Sequence, residues 1–221
     1  MSANSLRLAC MISGSGTTME AILAAALREK TLKRIHPALI IASTAHAGGI
    51  VRAKEFGLQE ARDILVLDPA SDFKNRQEAF GHAIINACTQ RGIDLIGQYG
   101  WMPKTPSNVI DAFPNSMINQ HPGPLDPGRP GFGGNGMFGI RVHFARLYFL
   151  RSLYHRESDE MWTEAVAQRV STDFDEGPVL RRERILVNPY DTSETLQQRL
   201  LPYEWQVQIE TLRDFAEDSV Q

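Results

Sequence analysis

From Leu6 to about residue 120, short apolar runs alternate with segments whose apolar residues recur every three or four positions. Leu6 to Ile12 is an apolar run that stops at a glycine turn, Met19 to Ala26 has a helical pattern, and Ala38 to Ala42 is apolar and branched. A helix is predicted near Gly49–Phe56, a strand at Ile64–Leu67 and a long helix from about Asp72 to Gln90. In that long helix Phe80, Ile84, Ala87 and Cys88 fall on one face, the periodicity a buried helix requires. Strands follow at Asp94–Gly97 and Ser116–Asn119. This alternation predicts an α/β fold, a Rossmann-like and mostly parallel sheet with flanking helices and right-handed crossovers. Ligands of such sheets sit beyond the carboxyl ends of the strands.

The pattern changes after Gly123. Pro124 to Gly139 is rich in proline and glycine, and Gly131-Phe132-Gly133-Gly134-Asn135-Gly136 is too permissive for regular structure, so a loop is expected there. An aromatic and arginine-rich helix is predicted at Val142–Tyr154. Strands at Thr163–Val170 and Val179–Val187 bracket a loop holding Asp173 and Asp175, and Ser193–Asp218 reads as a final helix capped by Ser193 and kinked at Pro202. No internal repeat or long linker appears, so residues 1–221 are expected to form a single domain.

Composition narrows the partners. A chain of 221 residues with 43% apolar content can bury a substantial core. A net charge of −3 and the lack of any basic run give no electrostatic reason to bind nucleic acid or an anionic membrane. Small-molecule substrates are expected instead. Cys10 and Cys88 lie far apart in apolar or helical surroundings, which suggests neither a disulfide framework nor a metal site. With no signal-like N-terminus and no apolar stretch of spanning length, a cytoplasmic protein is expected, as a monomer or homodimer.

Two constellations carry chemistry. Asn119 and His121 share one face of an extended segment, and Pro122-Gly123 ends that strand and leaves the pair at its mouth. An amide that donates to an oxyanion, an imidazole that moves a proton and a carboxylate that tunes it make a set for acyl transfer. Asp175, in Asp175-Glu176-Gly177-Pro178, is the candidate carboxylate, with Asp173 a rival two positions away. Taken singly, His121 reads sooner as a satisfied strand-end histidine and Asn119 as a turn residue; the Pro-Gly exit and the remote Asp-Glu-Gly-Pro favour the functional reading. The turn Gly14-Ser15-Gly16-Thr17-Thr18 follows a strand and opens a helix, where free N–H groups favour a phosphate. It is not a Walker motif, and the full Gly-x-Gly-x-x-Gly of dinucleotide folds is missing.

The chain resembles the glycinamide ribonucleotide formyltransferase family in Ile12-Ser13-Gly14-Ser15-Gly16-Thr17-Thr18, Asn119-x-His121-Pro122, Asp175-x-Gly177-Pro178 and Leu200-Leu201-Pro202-Tyr203-Glu204, in that order. The resemblance implies the formyltransferase fold and transfer of a formyl group from 10-formyltetrahydrofolate, as co-substrate and without metal, to the amine of glycinamide ribonucleotide in purine synthesis. It implies that Gly14, Gly16, Thr17 and Thr18 hold the phosphate and that Glu204 contacts the ribonucleotide, although Glu204 alone reads equally as a solvated helix residue. Matching the Gly177-Pro178 pair selects Asp175 over Asp173 and leaves Asp173 and Phe174 in a folate-side loop.

Trp101, Met102 and Thr105 fall in the segment that resembles the family's pterin-side loop, where Trp101 and Met102 could equally be core. Two departures stand out: Pro103 replaces a common arginine, and about fifteen to twenty residues are inserted within residues 131–162. The inserted segment is expected to be either a lid over the folate side or a dimer contact. Rival acceptors are an amino sugar nucleotide, methionyl-tRNA or water. Methionyl-tRNA is disfavoured by the acidic balance and the lack of a further C-terminal domain. A non-catalytic nucleotide-binding module is the alternative of a different class.

Overall fold

A computed structural model of the chain describes residues 5–125, 131–152 and 161–218. Seven strands form one sheet: β1 (Leu6–Ile12), β2 (Ile35–Ala42), β3 (Ile64–Val66), β4 (Leu95–Gln98), β5 (Met117–His121), β6 (Trp162–Arg169) and β7 (Val179–Leu186). Their order is β3-β2-β1-β4-β5-β6-β7, with β1 to β5 parallel and β6 and β7 antiparallel. The strand order reverses between β1 and β4, so the loops after these two strands splay apart and open a crevice. The mostly parallel, Rossmann-like sheet agrees with the sequence pattern.

The helices are α1 (Thr17–Leu23, continued by a π-turn over Ala24–Arg28), α2 (Gly49–Glu55), α3 (Gln77–Thr89), α4 (Ser107–Ala112), α5 (Ile140–Ser152) and α6 (Ser193–Asp218). Alternating side chains divide the core. Leu8, Cys10, Ile12, Ile40, Leu95 and Ile118 pack against α1, α2 and α6 on one face. On the other, Ala9, Met11, Leu39, Ile41, Ile96 and Met117 meet α3 and α4. Burial on both faces is why residues 8–12 of β1, 37–42 of β2 and 95–97 of β4 read as unbroken apolar runs. The β7 sequence Arg181-Arg182-Glu183-Arg184 protects the sheet edge with charge. Across the ladder Arg182 and Arg184 reach the fully buried Glu164 at 3.2 and 3.1 Å.

Four local features go beyond or differ from the sequence pattern. The long helix begins at Gln77 rather than Asp72, because Asn75 adopts the left-handed region at φ 58, through which a right-handed helix cannot run. Helix α4 was not anticipated, since six residues are too few to display a period. The final helix is capped by Thr192, not Ser193: Thr192 Oγ1 accepts from the Thr195 amide at 3.2 Å, and Thr195 Oγ1 accepts from the Thr192 amide at 2.8 Å. The inserted helix α5 packs one side into the core. It buries Val142 and Leu147, and Leu147 joins Ala165, Ala167, Ile185, Leu196 and Leu200 in a third cluster with α6. Its predicted end at Tyr154 lies outside the described residues.

Candidate active site

The segment Met117-Ile118-Asn119-Gln120-His121 forms β5 because its first residues are apolar and branched, and it ends where Pro122-Gly123 breaks the ladder. Strand alternation turns Asn119 and His121 to the face of α3 and α4, as Met117 shows, and Gln120 to the face of α1 and α6, as Ile118 shows. Gly123 leaves room for α5 to cross close behind the strand end; a Cβ there would meet Val142 at 2.5 Å.

Asp175 is the hub of this end of the strand. It sits in the left-handed region at φ 59, a conformation an aspartate tolerates better than most residues. Its Oδ1 accepts from Asn119 Nδ2 at 3.2 Å and from Gln168 Nε2 at 2.7 Å; its Oδ2 accepts from the Gly134 amide at 2.9 Å and lies 3.5 Å from His121 Nδ1. The turn is held from behind by Gly177, where a Cβ would lie 1.8 Å from the Arg169 carbonyl oxygen. Asp173 is exposed and contributes only its backbone carbonyl, which accepts from Ser171. The geometry therefore joins Asp175, and not Asp173, to Asn119 and His121.

His121 is nearly fully buried. Its Nε2 contacts the Phe132 carbonyl at 2.7 Å, and since a carbonyl only accepts, Nε2 carries hydrogen. Burial lowers the affinity of His121 for a second proton below the ordinary histidine value, while Asp175 and the Phe132 carbonyl work in the opposite direction. The Asp175 carboxylate favours the imidazolium, and desolvation outweighs it. Two acceptors facing two ring nitrogens still fit the imidazolium best, so the site holds a poised proton rather than a permanent charge.

At the switch point, β1 ends in the Gly14–Thr18 turn. Gly16 adopts φ +71, which lets the turn close onto α2: a Cβ at Gly16 would lie 2.7 Å from the Cα of Gly49. The first turn of α1 thereby presents its amides toward the crevice. Ser13 Oγ accepts from the Met102 amide at 2.9 Å, tying the loop after β1 to the loop after β4.

One cavity of about 490 Å³ lies over these strand ends. It brings together Gly14, Gly16, Thr17 and Thr18; Asn119, His121 and Asp175; Trp101, Met102, Thr105, Asp173 and Phe174; and Glu204. Every candidate from the sequence lines it, though not in one manner. Trp101 is largely buried and stacks on Phe80, so most of its ring is core. Thr105 is buried with its hydroxyl accepting from Gln98 at 2.6 Å, whereas Met102 is about half exposed on the wall. Phe174 is exposed beside Lys104, whose Nζ lies 5.7 Å from the ring centre. Glu204 is not a solvated helix residue: it is 4% exposed, and burial pushes its carboxyl up to about 8 despite a hydrogen bond from Gln120.

Sequence reading missed Gln168, Gln120 and the backbone groups of Gly134 and Phe132. Gln168 stands directly across the ladder from Asn119, and that register carries no mark in the sequence. The stretch Gly134–Gly139, predicted only as a loop, forms part of the cavity rim. Among the described residues, no group of three or more His, Cys, Asp or Glu side chains is arranged to hold an ion.

Residues 6–132, which run from β1 past the Asn119–His121 strand, match the family described as "Formyl transferase". The chain belongs to the formyl transferase family. Phosphoribosylglycinamide formyltransferase of Bacillus subtilis is 26% identical over 203 residues, covering 90% of each chain. The chloroplastic enzyme of the same name from Arabidopsis thaliana is 28% identical over 137 residues, 62% of this chain. The chain spans only 42% of that relative's length and 62% of the Vigna unguiculata one. Among solved structures, glycinamide ribonucleotide transformylase 1 from Symbiobacterium toebii superposes with a TM-score of 0.78 at 30% identity, covering 97% of this chain and 89% of that one. The Brucella melitensis phosphoribosylglycinamide formyltransferase superposes at 0.76 with 26% identity, covering 96% of each. The matched stretch contains Gly16 and His121, while Asp175 and Glu204 come from the part of the chain that follows it.

Proposed function

We propose that this single-domain formyltransferase moves a formyl group from 10-formyltetrahydrofolate to the primary amine of glycinamide ribonucleotide, in the cytoplasm. One observation carries the reading: a phosphate-type turn and an Asn-His-Asp set open into the same cavity. The neutral amine attacks the formyl carbon and a tetrahedral oxyanion forms. Asn119, held by Asp175, donates to the oxyanion. His121 supplies positive charge or hands its proton to the folate nitrogen as the old C–N bond breaks. The proton lost by the attacking amine replaces the one gained by the folate nitrogen, so a formyl group is exchanged for one N–H hydrogen and no outside oxidant or reductant is needed.

The first turn of α1 holds the phosphate of the acceptor through Gly14, Gly16, Thr17 and Thr18, and Glu204 contacts the ribonucleotide. The folate lies between the loop after β4 and the Asp173–Phe174 loop, with Met102 and Phe174 offering exposed apolar surface and Lys104 supplying a cation one position after Pro103. The names of the relatives support the same acceptor. An acceptor screen tests the proposal: release of tetrahydrofolate is scored with glycinamide ribonucleotide, amino sugar nucleotides and water. Glycinamide ribonucleotide should give the highest kcat/KM. Faster release with water or an amino sugar nucleotide would replace the acceptor.

A further inference from the structure

Residues 132–134 hold both halves of the His121–Asp175 pair: the Phe132 carbonyl faces His121 Nε2 at 2.7 Å, and the Gly134 amide donates to Asp175 Oδ2 at 2.9 Å. The segment passes so near the Asp175 turn that a Cβ at Gly133 would lie 2.7 Å from the Asp175 Cβ. Two adjoining glycines give it no stiffness of its own, and Gly134 stands at φ +94. Its placement must come from the Phe132 side chain, which is buried.

Helix α5 grips that side chain. Phe149 meets the Phe132 ring edge-on with centres 5.5 Å apart, and the guanidinium carbon of Arg146 lies 5.1 Å from the Phe132 ring centre. Arg146 is itself buried and is anchored at the start of β6: its Nε and Nη2 both donate to the Trp162 carbonyl, at 2.8 and 2.6 Å, and its guanidinium carbon lies 4.5 Å from the Trp162 ring centre. Forked donation to one carbonyl together with contact to aromatic rings needs a planar guanidinium, which lysine lacks. Strand β6 also carries Gln168, which donates to Asp175. One arginine thus ties the carbonyl on His121 to the strand that orients its carboxylate partner.

We infer that Arg146 is a positioning residue for His121: acting through the Phe132 ring, it seats the Phe132 carbonyl on Nε2, which fixes the turn of the imidazole and keeps a hydrogen on that nitrogen. This rests on the catalytic role of His121 given above. The bond made by one ring nitrogen of a histidine decides what the other presents, so with Nε2 occupied a second proton binds at Nδ1, facing the Asp175 carboxylate. On α5, His143 is the titratable group that feels the His121 charge; burial pushes it down to about 4, so it is neutral above that pH.

Three variants test the inference. Arg146→Met keeps the stem and removes the fork, Phe132→Leu removes the ring that the fork grips, and Leu147→Ala, on the same helix but in the cluster against α6, is the control for lost stability alone. Ring nitrogen NMR spectra of His121 are recorded, with pH–rate profiles and kinetic constants for 10-formyltetrahydrofolate and glycinamide ribonucleotide. In unaltered protein, neutral His121 should carry its hydrogen on Nε2. In Arg146→Met and Phe132→Leu that preference should weaken, and kcat should fall by about tenfold or more with both KM values within about twofold. The acid requirement of kcat should also move to lower pH, because a carbonyl that favours the imidazolium is displaced. Leu147→Ala should leave the ring signals and the profile in place. A bare Nε2 in neutral His121 of unaltered protein overturns the inference whether or not the variants fold. So does a folded Arg146→Met with unaltered ring signals and profile, or a Leu147→Ala that shifts them as far; where Arg146→Met does not fold, Phe132→Leu decides by the same readings. Absence of turnover by unaltered protein overturns the function proposed above, whereas turnover with any of these contrary results overturns this inference alone.

Discussion

Asp175 does three things at once: it orients the Asn119 amide, faces the His121 ring and receives the Gly134 amide from the cavity rim. Burial already lowers the proton affinity of His121, and the Asp175 carboxylate opposes that effect. Removing the carboxylate charge therefore lowers that affinity further. If turnover uses the imidazolium, Asp175→Asn shifts the acid requirement of kcat to lower pH and reduces activity at neutrality. Asp173→Asn leaves both unchanged. A pH–rate profile of the two variants checks this, and a larger shift from Asp173→Asn would move the role to that residue. Of this constellation, the Asn-x-His spacing and the distant Asp-x-Gly-Pro were legible in the sequence, because alternation and turn chemistry are local. Gln168 was not, because its meeting with Asp175 depends on an antiparallel register set by the whole hairpin.

Among the elements, the β1–α1 turn is defined by two glycines meeting back to back, Gly16 and Gly49. A side chain at Gly16 faces both a positive φ and a backbone clash. Gly16→Ala should cost roughly 1–3 kcal/mol in denaturant unfolding and raise KM for the acceptor more than for the folate. Equal effects on both substrates would separate the turn from the phosphate.

Helix α5 is the element the sequence described least well. Its aromatic content suggested a cover or a subunit contact, and its start does adjoin the cavity rim at Gly134–Gly139. Yet Leu147 is built into the cluster that joins β6, β7 and α6, while Phe144 and Tyr148 are exposed. Apolar content revealed that the helix must pack; which of its faces does so depends on where the sheet lies. Leu147→Ala should destabilise the fold by about 2–5 kcal/mol. Urea unfolding checks this, and a loss under about 0.5 kcal/mol would remove α5 from the core.

At the scale of the whole molecule, the parallel half of the sheet was readable because β1, β2 and β4 are buried on both faces and α3 carries a period. The switch point, which gathers the site, follows from strand order and is invisible to any local pattern. The same gathering buries titratable groups. The Glu204 carboxyl is raised from 4.5 to about 8. Its contribution to stability is full below the unfolded value near 4.5 and is lost as pH rises through about 8, because the folded state alone holds the proton in that window. Glu204→Gln removes this titration, so its stability relative to the unaltered protein should rise from about pH 5 to about pH 8 and level off above it. Thermal unfolding across that range measures the difference, and a flat difference would contradict the buried, protonated carboxyl.

The central claim is that Asn119 and His121, placed by β5 at the cavity, perform formyl transfer. Its most direct test is the rate of tetrahydrofolate release from 10-formyltetrahydrofolate with glycinamide ribonucleotide, for the unaltered chain and for Asn119→Ala and His121→Ala. The account predicts turnover that depends on the acceptor and falls by about 10²–10³ or more in each variant with the fold retained by circular dichroism. Turnover near that of the unaltered protein in either variant would contradict it.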